Sequence, residues 1–533
     1  MSDRIKKQVD PDEIRPELAE VIERRNLTRD EGRPDAVKKR RKQGHRMIRE
    51  NIADLFDNDD TIEYGAFTLA AQRSRVPMND LIRRTPGDGL VAEVGSVNSD
   101  MFEPSKSRCL AIGYDYTVLA GTQGWFNHKK KDRVLELAYE WRLPLVLFAE
   151  GGGGRPGDVD MMEIIVAGLE FKSFSHIARL SGLVPVVGVV TGRCFAGNAA
   201  LLGCCDVIIA TKDSNIGMAG PAMIEGGGLG VFAPEEIGPI EVQTADGVVD
   251  VVAEDDADAV AKTKKYLSYF QGDLPDWDCA DQRLLRHSIP KSRRRAYDVR
   301  KVIHLLADTD SVLELRREFG VGIVTALVRI EGKPFGLIAN NTLHLAGAID
   351  SDGADKIARF VQLCDAFDIP MIILIDTPGF MVGPEAEKTA QVRHFCRIFM
   401  NAVNSDIPLF SIVLRRGYGL GAMAMAGGSF QNSDFIVSWP TGEFGGMGLE
   451  GAVRLGFKKE LDAIEDPEKR QKRYEELVAL HYEHGKALNM AACLEIDDVI
   501  DPVDTRHWIM RGLRAQPELP VRTGKKRPRV DSW

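Results

Sequence analysis

Short apolar runs rich in Val, Ile and Leu alternate along most of this chain with longer stretches whose apolar positions recur every third or fourth residue. Leu183–Val190 and Met371–Ile375 are runs of the first kind, while DRVLELAYEW from Asp132 and ADKIARFVQLCDAF from Ala354 are of the second. The runs predict buried parallel strands and the periodic stretches predict amphipathic helices, so the pattern is one of βα units and the fold class is α/β. From about Leu90 the pattern is written twice. LPLVLFAEGGGGRPG from Leu143 matches IPMIILIDTPGFMVG from Ile369, each an apolar strand entering a Gly-rich turn through an acidic residue, Glu150 or Asp376. Further on, LVPVVGVVTGRCFAGNAALLGCCDVIIA matches DIPLFSIVLRRGYGLGAMAMAGGSFQNSDFIVS. Pro144 and Pro370, Pro185 and Pro408, and Gly197 and Gly421 are all separated by roughly 225 residues, which predicts two tandem copies of one domain.

The boundaries follow from composition. Residues 1–60 are dense in charge with helical patterning at Ile14, Leu18, Val21 and Ile22, and predict helices that pack on the body or on a partner. Residues 61–290 and 291–515 hold the two copies, joined through the polar, Arg-rich stretch Ala280–Arg300, and residues 516–533 read as a loose basic tail. The basic cluster Lys38–Lys42 fits either a solvated helix face or a phosphate contact.

Composition removes several functions. With 44% apolar and 28% charged residues over 533 positions, the chain is globular and too long for one core. Its formal charge of -10 is interspersed in sign, and no basic face with interleaved aromatics is present, which argues against nucleic acid. No run reaches the ~20 apolar residues of a membrane span, and the opening MSDRIKKQVD has no apolar signal core, so a cytoplasmic protein with no membrane partner is expected. The eight cysteines are scattered without CxxC spacing, which predicts neither disulfides nor a metal site; Cys194 and Cys364 lie in apolar stretches as small buried thiols. No GxSxG, HExxH, P-loop or dinucleotide fingerprint occurs. His344 and His394 fall near candidate segments, where structural hydrogen bonding is their commoner role.

Candidate chemistry sits at matched places in the two copies. Each has a strand, a turn of small residues and an apolar helix: Cys194-Phe195-Ala196-Gly197-Asn198-Ala199 in the first, Gly417-Tyr418-Gly419-Leu420-Gly421-Ala422 in the second. Such a turn leaves the helix's first N–H groups unpaired where a ligand oxygen can approach, which makes an oxyanion site, although small residues also simply let a helix pack closely on a sheet. The upstream loop Glu150-Gly151-Gly152-Gly153-Gly154-Arg155 can line a ligand channel, with Arg155 available to a phosphate or carboxylate. Gly226–Gly230 fits a surface turn or a substrate contact, and its partner is WPTGEFGGMG from Trp439.

These segments, with GRCFAGNA from Gly192, DTPGF from Asp376 and RRGYGLGA from Arg415, resemble the carboxyltransferase subunits of biotin-dependent acyl-CoA carboxylases, the group of propionyl-, methylcrotonyl- and geranyl-CoA carboxylase β subunits. The likeness runs from about Arg40 to Arg514. It implies two tandem crotonase-like domains in a homo-hexamer whose active sites lie between the first domain of one subunit and the second of its partner. It further implies an oxyanion hole at Ala196 and Gly197 for the enolate of the acyl-CoA thioester, with Glu150, Gly152, Gly153, Gly154, Arg155, Asn198 and Ala200 around the acyl-CoA. A second hole, at Leu420 and Gly421, takes the biotin ureido oxygen, with Thr377, Pro378, Gly379, Phe380, Ala422, Met423, Gly445 and Gly446 around biotin. Biotin then serves as carboxyl donor and base, which accounts for the missing catalytic side chain. No biotin-acceptor Met-Lys-Met occurs, so the resemblance implies a separate biotin carboxylase and biotin carboxyl carrier subunit. Small side chains at Ala200 and Ala422 beside Met423, where relatives commonly carry aromatics, suggest room for a longer or branched acyl group. The competing readings are a decarboxylase or transcarboxylase subunit running the reaction in reverse, a crotonase-type hydratase or isomerase, and a non-catalytic scaffold of the same fold.

Overall fold

The computed structural model describes residues 12–161, 168–517 and 522–533, so the chain's opening and parts of the charged N-terminal segment and basic tail lie outside the described residues. Two sheets of the same order dominate it. The first uses β1 (Ile62–Glu63), β2 (Leu90–Ser96), β3 (Arg108–Tyr114), β4 (Leu145–Phe148), β5 (Val186–Val190), β7 (Val207–Thr211) and β9 (Val251–Ala253), in the order β1-β2-β3-β4-β5-β7-β9. Two short strands beside it, β6 (Arg193–Phe195) and β8 (Asn215–Gly217), pair in parallel. The second sheet runs β10 (Leu313–Leu315), β11 (Ile323–Ile330), β12 (Lys333–Asn340), β13 (Met371–Thr377), β14 (Leu409–Tyr418), β15 (Phe435–Ser438) and β17 (Asp498–Val499) in chain order, with β16 (Glu443–Gly445) on the end of β14. In each, an antiparallel start gives way to parallel strands, and the register repeats: Leu90 faces Tyr114 as Ile323 faces Asn340.

The parallel strands are buried on both faces, as in β4 and β13, where every residue is inside; this is why the sequence shows them as unbroken apolar runs. Helices cover them. Those that matter below are α1 (Pro16–Asn26), α2 (Pro34–Arg41), α3 (Ile48–Leu55), α4 (Trp125–Trp141), α5 (Gly197–Leu202), α6 (Asp256–Gln271), α7 (Ser351–Ala366), α8 (Gln391–Val403) and α9 (Gly419–Met425). One continuous core carries Val146, Val187 and Ile209 of the first sheet together with Ile338, Ile373 and Val413 of the second, through Tyr266 and Leu267 of α6 and Ile357 and Phe360 of α7. The two copies are thus fused face to face, with Arg316 reaching from the second to Asp250 of the first at 3.0 Å.

Three peripheral expectations change. The tail is not loose where it is described: Arg527 and Lys526 pair with the buried Asp365, Val530 exchanges two hydrogen bonds with Ser181, and the Trp533 ring packs on Phe319 at 5.0 Å. Its basic residues have acidic partners in distant sequence, which composition does not reveal. The connection Ala280–Arg300 has core residues of its own, Leu285 and Tyr297. In the basic cluster, Arg40 is buried while its neighbours stay at the surface. Helix α1 buries none of its residues, and Leu18, Val21 and Ile22 remain exposed. Among the described residues no helix is long and apolar enough to cross a membrane.

The N-terminal segment is fastened to α6 through Asp256, which accepts a hydrogen bond from Asn51 at 3.0 Å and lies 3.5 Å from His45. The hydrogen bond to Asp256 raises the His45 pKa above 6.5. A base whose folded pKa is raised contributes stability that is complete below its unfolded value and lost as pH rises through the folded one. Amide protection of residues 46–55 is therefore expected to be lower well above pH 6.5 than below it, and His45→Gln to remove that dependence. Equal protection on both sides of that pH in the wild type would contradict the assignment.

Candidate active site

Both copies turn from a short strand into a helix through one residue at positive φ. In the first, β6 ends at Phe195 opposite Gly217, Ala196 takes φ 54° and ψ -124°, and α5 begins at Gly197. In the second, Tyr418 stands opposite Gly445 and Gly419 takes φ 57° at the start of α9. The strand pairing matches Ala196 to Gly419, Gly197 to Leu420, Asn198 to Gly421 and Ala200 to Met423. Burial agrees: Asn198 and Gly421 are inside, as are Ala199 and Ala422, whereas Leu420 is 63% exposed. The expected match of Gly197 with Gly421 is therefore one residue out. Leu420 is the counterpart of Gly197, and Gly421 and Ala422 lie beneath the surface rather than facing a ligand.

The first N–H groups of each helix have no intrahelical acceptor. Ala196 cannot share in the first hole as a donor, because its N–H is bonded to Gly217 O at 2.9 Å. Gly197 is thus the donor offered there, and Leu420 holds the same position in the second copy.

The Gly-rich loops repeat down to individual hydrogen bonds. Gln123 donates its N–H to Gly153 O (2.9 Å) and its carbonyl accepts from Arg155 N (2.8 Å); Ile349 does the same with Gly379 O (3.1 Å) and Met381 N (2.8 Å). Between this loop and the helix turn the second copy is three residues shorter. A Cβ on Gly153 would stand 2.8 Å from Cβ of Ala196, and one on Gly421 would stand 2.7 Å from Cα of Gly379, so loop and helix start touch in both copies. Leu119-Ala120-Gly121 and Leu345-Ala346-Gly347 form a further matched turn, all six at positive φ, in which Gly121 and Gly347 abut the carbonyls of Glu150 and Asp376. The shared Leu-Ala-Gly, legible in the sequence, adds a repeat that the candidate segments do not include.

Several polar candidates face inward. Glu150 is gripped by both terminal nitrogens of Arg40 at 2.7 and 2.6 Å; burial pushes its carboxyl pKa up against the pull of that guanidinium. Asp376 accepts from Arg415 (3.0 Å), Arg416 (2.7 Å) and the Tyr297 hydroxyl (2.9 Å). Arg155, which lines the first cleft described below, is paired with Asp88 and donates to the carbonyl of Thr122 at 2.8 Å. Asn198, fully buried, donates to the carbonyls of Gly121 and Glu150 at 3.0 and 2.8 Å. Glu150, Arg155 and Asn198 all brace the loop through these bonds. Thr377 is likewise buried, its hydroxyl 3.1 Å from Gly379 N, and Phe380 stacks on Phe395 of α8 at 4.0 Å. A Cβ on Gly152 would meet only the Thr122 methyl, at 3.7 Å, while Pro378 and Ala200 are half-buried.

Two clefts open at the turns. One of about 740 Å³ is lined by Gly197, Gly154 and Gln123 with Trp125, Phe171 and Phe174 as apolar walls. The other, about 750 Å³, is lined by Gly419, Met423, Gly445 and Gly446 with Phe430 and Phe444. The first offers no strong general base, whereas the second is also lined by His481, His484 and Glu495. His128, stacked on Phe171 in the first, has its pKa lowered to about 3 by burial, and burial pushes the Cys194 thiol up. His344 and His394 are paired with Asp350 and Asp355 at 3.1 and 2.7 Å. No group of three or more metal-ligating side chains occurs among the described residues. What the clefts hold in common is a backbone N–H beside an apolar wall, an arrangement suited to an oxyanion.

Gly153→Ala is expected to displace the first turn and cost at least tenfold in turnover, since its methyl meets that of Ala196. Ala196→Gly in the same chain removes the obstruction and is expected to restore most of the loss. Turnover assays with denaturation midpoints check this; a double variant no better than Gly153→Ala would show that the contact is not the cause.

Known proteins share this architecture. A family model described as the carboxyl transferase domain matches residues 39–530. The methylmalonyl-CoA carboxyltransferase 12S subunit of Propionibacterium freudenreichii subsp. shermanii is 30% identical over 507 residues, 93% of each chain. The biotin-dependent long chain acyl-coenzyme A carboxylase beta4 subunit of Mycobacterium tuberculosis is 29% identical over 96% of each chain. Among solved structures, a single-chain, multi-domain long-chain acyl-CoA carboxylase superposes with a TM-score of 0.89 and 59% identity, over 94% of this chain and 49% of that one. The chain therefore spans about half the length of that relative. The transcarboxylase 12S hexamer, solved with methylmalonyl-coenzyme A, superposes with a TM-score of 0.82 at 28% identity over 96% of this chain. With its two crotonase-like halves, the chain belongs to the carboxyl transferase domain family, the family of acyl-CoA carboxylase β subunits.

Proposed function

We propose that this chain transfers a carboxyl group between biotin and the α-carbon of a long-chain acyl-CoA, with the thioester in the Gly197 cleft and biotin in the Gly419–Leu420 cleft. The observation that carries the reading is the matched pair of turns, each presenting a helix-start N–H at an apolar cleft. Biotin fits the second cleft on the residues present. Gly446 has open space where a Cβ would project, Gly419 lies too close to Gly446 O for any side chain, and Phe430 and Phe444, edge to face at 6.1 Å, supply an apolar corner. When carboxylated and bound, biotin supplies the carboxyl group and a ureido nitrogen that can take up the α-proton. A biotin carboxylase and a biotin carrier are the partners this requires.

The chain's own part is electrostatic. As the α-proton leaves, negative charge gathers on the thioester oxygen, and the Gly197 N–H, fixed before the reaction begins, stabilises it without reorganising. The Leu420 N–H does the same for the ureido oxygen. Trp125, Phe171 and Phe174 keep water from the carbanionic carbon and strengthen the hydrogen bond by lowering the local dielectric. These groups serve either direction of transfer equally.

A hexamer is part of this reading, supported by the hexamer assembly of the 12S relative, and sites shared between its subunits are proposed with it. The exposed apolar residues near the second cleft, Leu420, Met447, Leu455, Leu488 and Leu494, are part of it too. Long-chain preference is supported by the 59% identical relative and by Ala200 and Met423 at matched places beside the two donors.

Gly197→Pro and Leu420→Pro each delete one N–H in the first turn of a helix, where proline is tolerated. Each is expected to lower turnover of a carboxylated long-chain acyl-CoA with free biotin by about 10²–10³-fold while the protein stays folded. Turnover within threefold of wild type in both, or preference for a propionyl-sized substrate, would refute the assignment of donors or of chain length respectively.

A further inference from the structure

The first cleft has a buried polar backing that the second lacks. The two copies agree at Lys130 and Lys356, whose ammonium groups are both buried and both donate to carbonyls where an antiparallel strand begins, at Leu90 and Ile323. That lysine belongs to the fold. The next residue differs: Lys131 matches Ile357. Around it Tyr114 matches Asn340, Gln123 matches Ile349, and Asn198 matches Gly421. The second copy shows that the architecture stands with no such chain of polar groups, and burying lysine, tyrosine and amides costs free energy unless each is bonded.

In the first copy they are bonded in series. Lys131 Nζ donates to the Tyr114 hydroxyl at 2.8 Å, and Gln123 Nε2 lies 3.3 Å from the same oxygen and 2.5 Å from Asn198 Oδ1. Lys131 and Tyr114 are each 1% exposed, Gln123 4% and Asn198 not at all. The series fixes the orientation of the Gln123 amide. Asn198 gives its Nδ2 hydrogens to two carbonyls, so its Oδ1 must accept, and only Gln123 Nε2 can donate to it. Gln123 Oε1 is then left as an acceptor in the cleft wall, and the amide lies against the Gly197 turn, where a Cβ on Gly197 would stand 3.1 Å from both Oε1 and Nε2.

We propose that Gln123 is a substrate-positioning residue of the first cleft, presenting Oε1 beside the Gly197 donor to an N–H of the thioester's pantetheine arm, and that Lys131, Tyr114 and Asn198 hold it in that orientation. The inference rests on the placement of acyl-CoA in this cleft. A donor and an acceptor side by side read a thioester and the amide next to it along one line, which sets where the α-carbon stands.

The test compares wild type with Gln123→Leu and Tyr114→Phe in the decarboxylating direction, with a carboxylated long-chain acyl-CoA and free biotin. Each variant is expected to lose at least tenfold in kcat/KM for the acyl-CoA with KM for biotin unchanged within twofold, and the double variant to lose no more than the worse single one, since both break one series. A purely structural role would instead lower the melting temperature and disturb both substrates alike. Gln123→Leu keeps the side chain's bulk, so it decides alone if Tyr114→Phe does not fold. Wild-type turnover with kcat/KM unchanged in folded Gln123→Leu overturns this inference and leaves the placement of acyl-CoA standing. No turnover of any acyl-CoA by the wild type overturns the placement and the inference with it.

Discussion

The backbone that turns at positive φ between a short strand and a helix is the constraint on which both clefts depend. An L-residue at φ 54° is strained by an amount on the order of 1–3 kcal/mol, and Ala196 carries that strain where the second copy uses Gly419. The surroundings hold it there. Ala196 N is tied to Gly217 O, Ala196 O receives Ala200 N, and its methyl fills the space that Gly153 leaves. In that conformation the helix starts at the turn, and its first N–H groups have no intrahelical acceptor.

The loops that meet these turns are fixed by buried carboxylates. Glu150, just past β4, and Asp376, near the end of β13, hold matched places, and each is paired with arginine from elsewhere: Arg40 of the N-terminal segment in one case, Arg415 and Arg416 with Tyr297 in the other. Removing either side of such a pair would leave a buried charge uncompensated, at a cost of about 3–5 kcal/mol. The N-terminal segment and the inter-copy connection are thereby parts of the scaffold of the two clefts, since both send a residue to the base of a Gly-rich loop.

The fold and the location of both clefts were legible because each imposes a local rule on sequence. Strands buried on two faces must be apolar throughout, and loops that touch a helix start must be glycine, so the duplication shows as repeated letters. Leu420 was named from the sequence, but the residue-by-residue match of the two turns was not legible, because Gly419 and Gly421 both fit a small-residue turn and the second copy is three residues shorter between loop and turn. Pairing of Tyr418 with Gly445 resolves it. Nor could sequence separate a ligand-binding polar residue from a bracing one. Glu150, Arg155 and Asn198 lie in the right loops, but their partners Arg40, Asp88 and Gly121 are brought to them only by the fold. The same holds for the tail, whose lysine and arginine find Asp365 across the molecule.

The central claim is that two backbone donors at matched positions serve two different oxygens. A crystal structure of the assembled protein with a non-hydrolysable acyl-CoA analogue and biotin tests it most directly. The account predicts the thioester oxygen within hydrogen-bond distance of Gly197 N and the ureido oxygen within that distance of Leu420 N. Ligand oxygens held instead by side chains, or by Ala196 and Gly421, would contradict it.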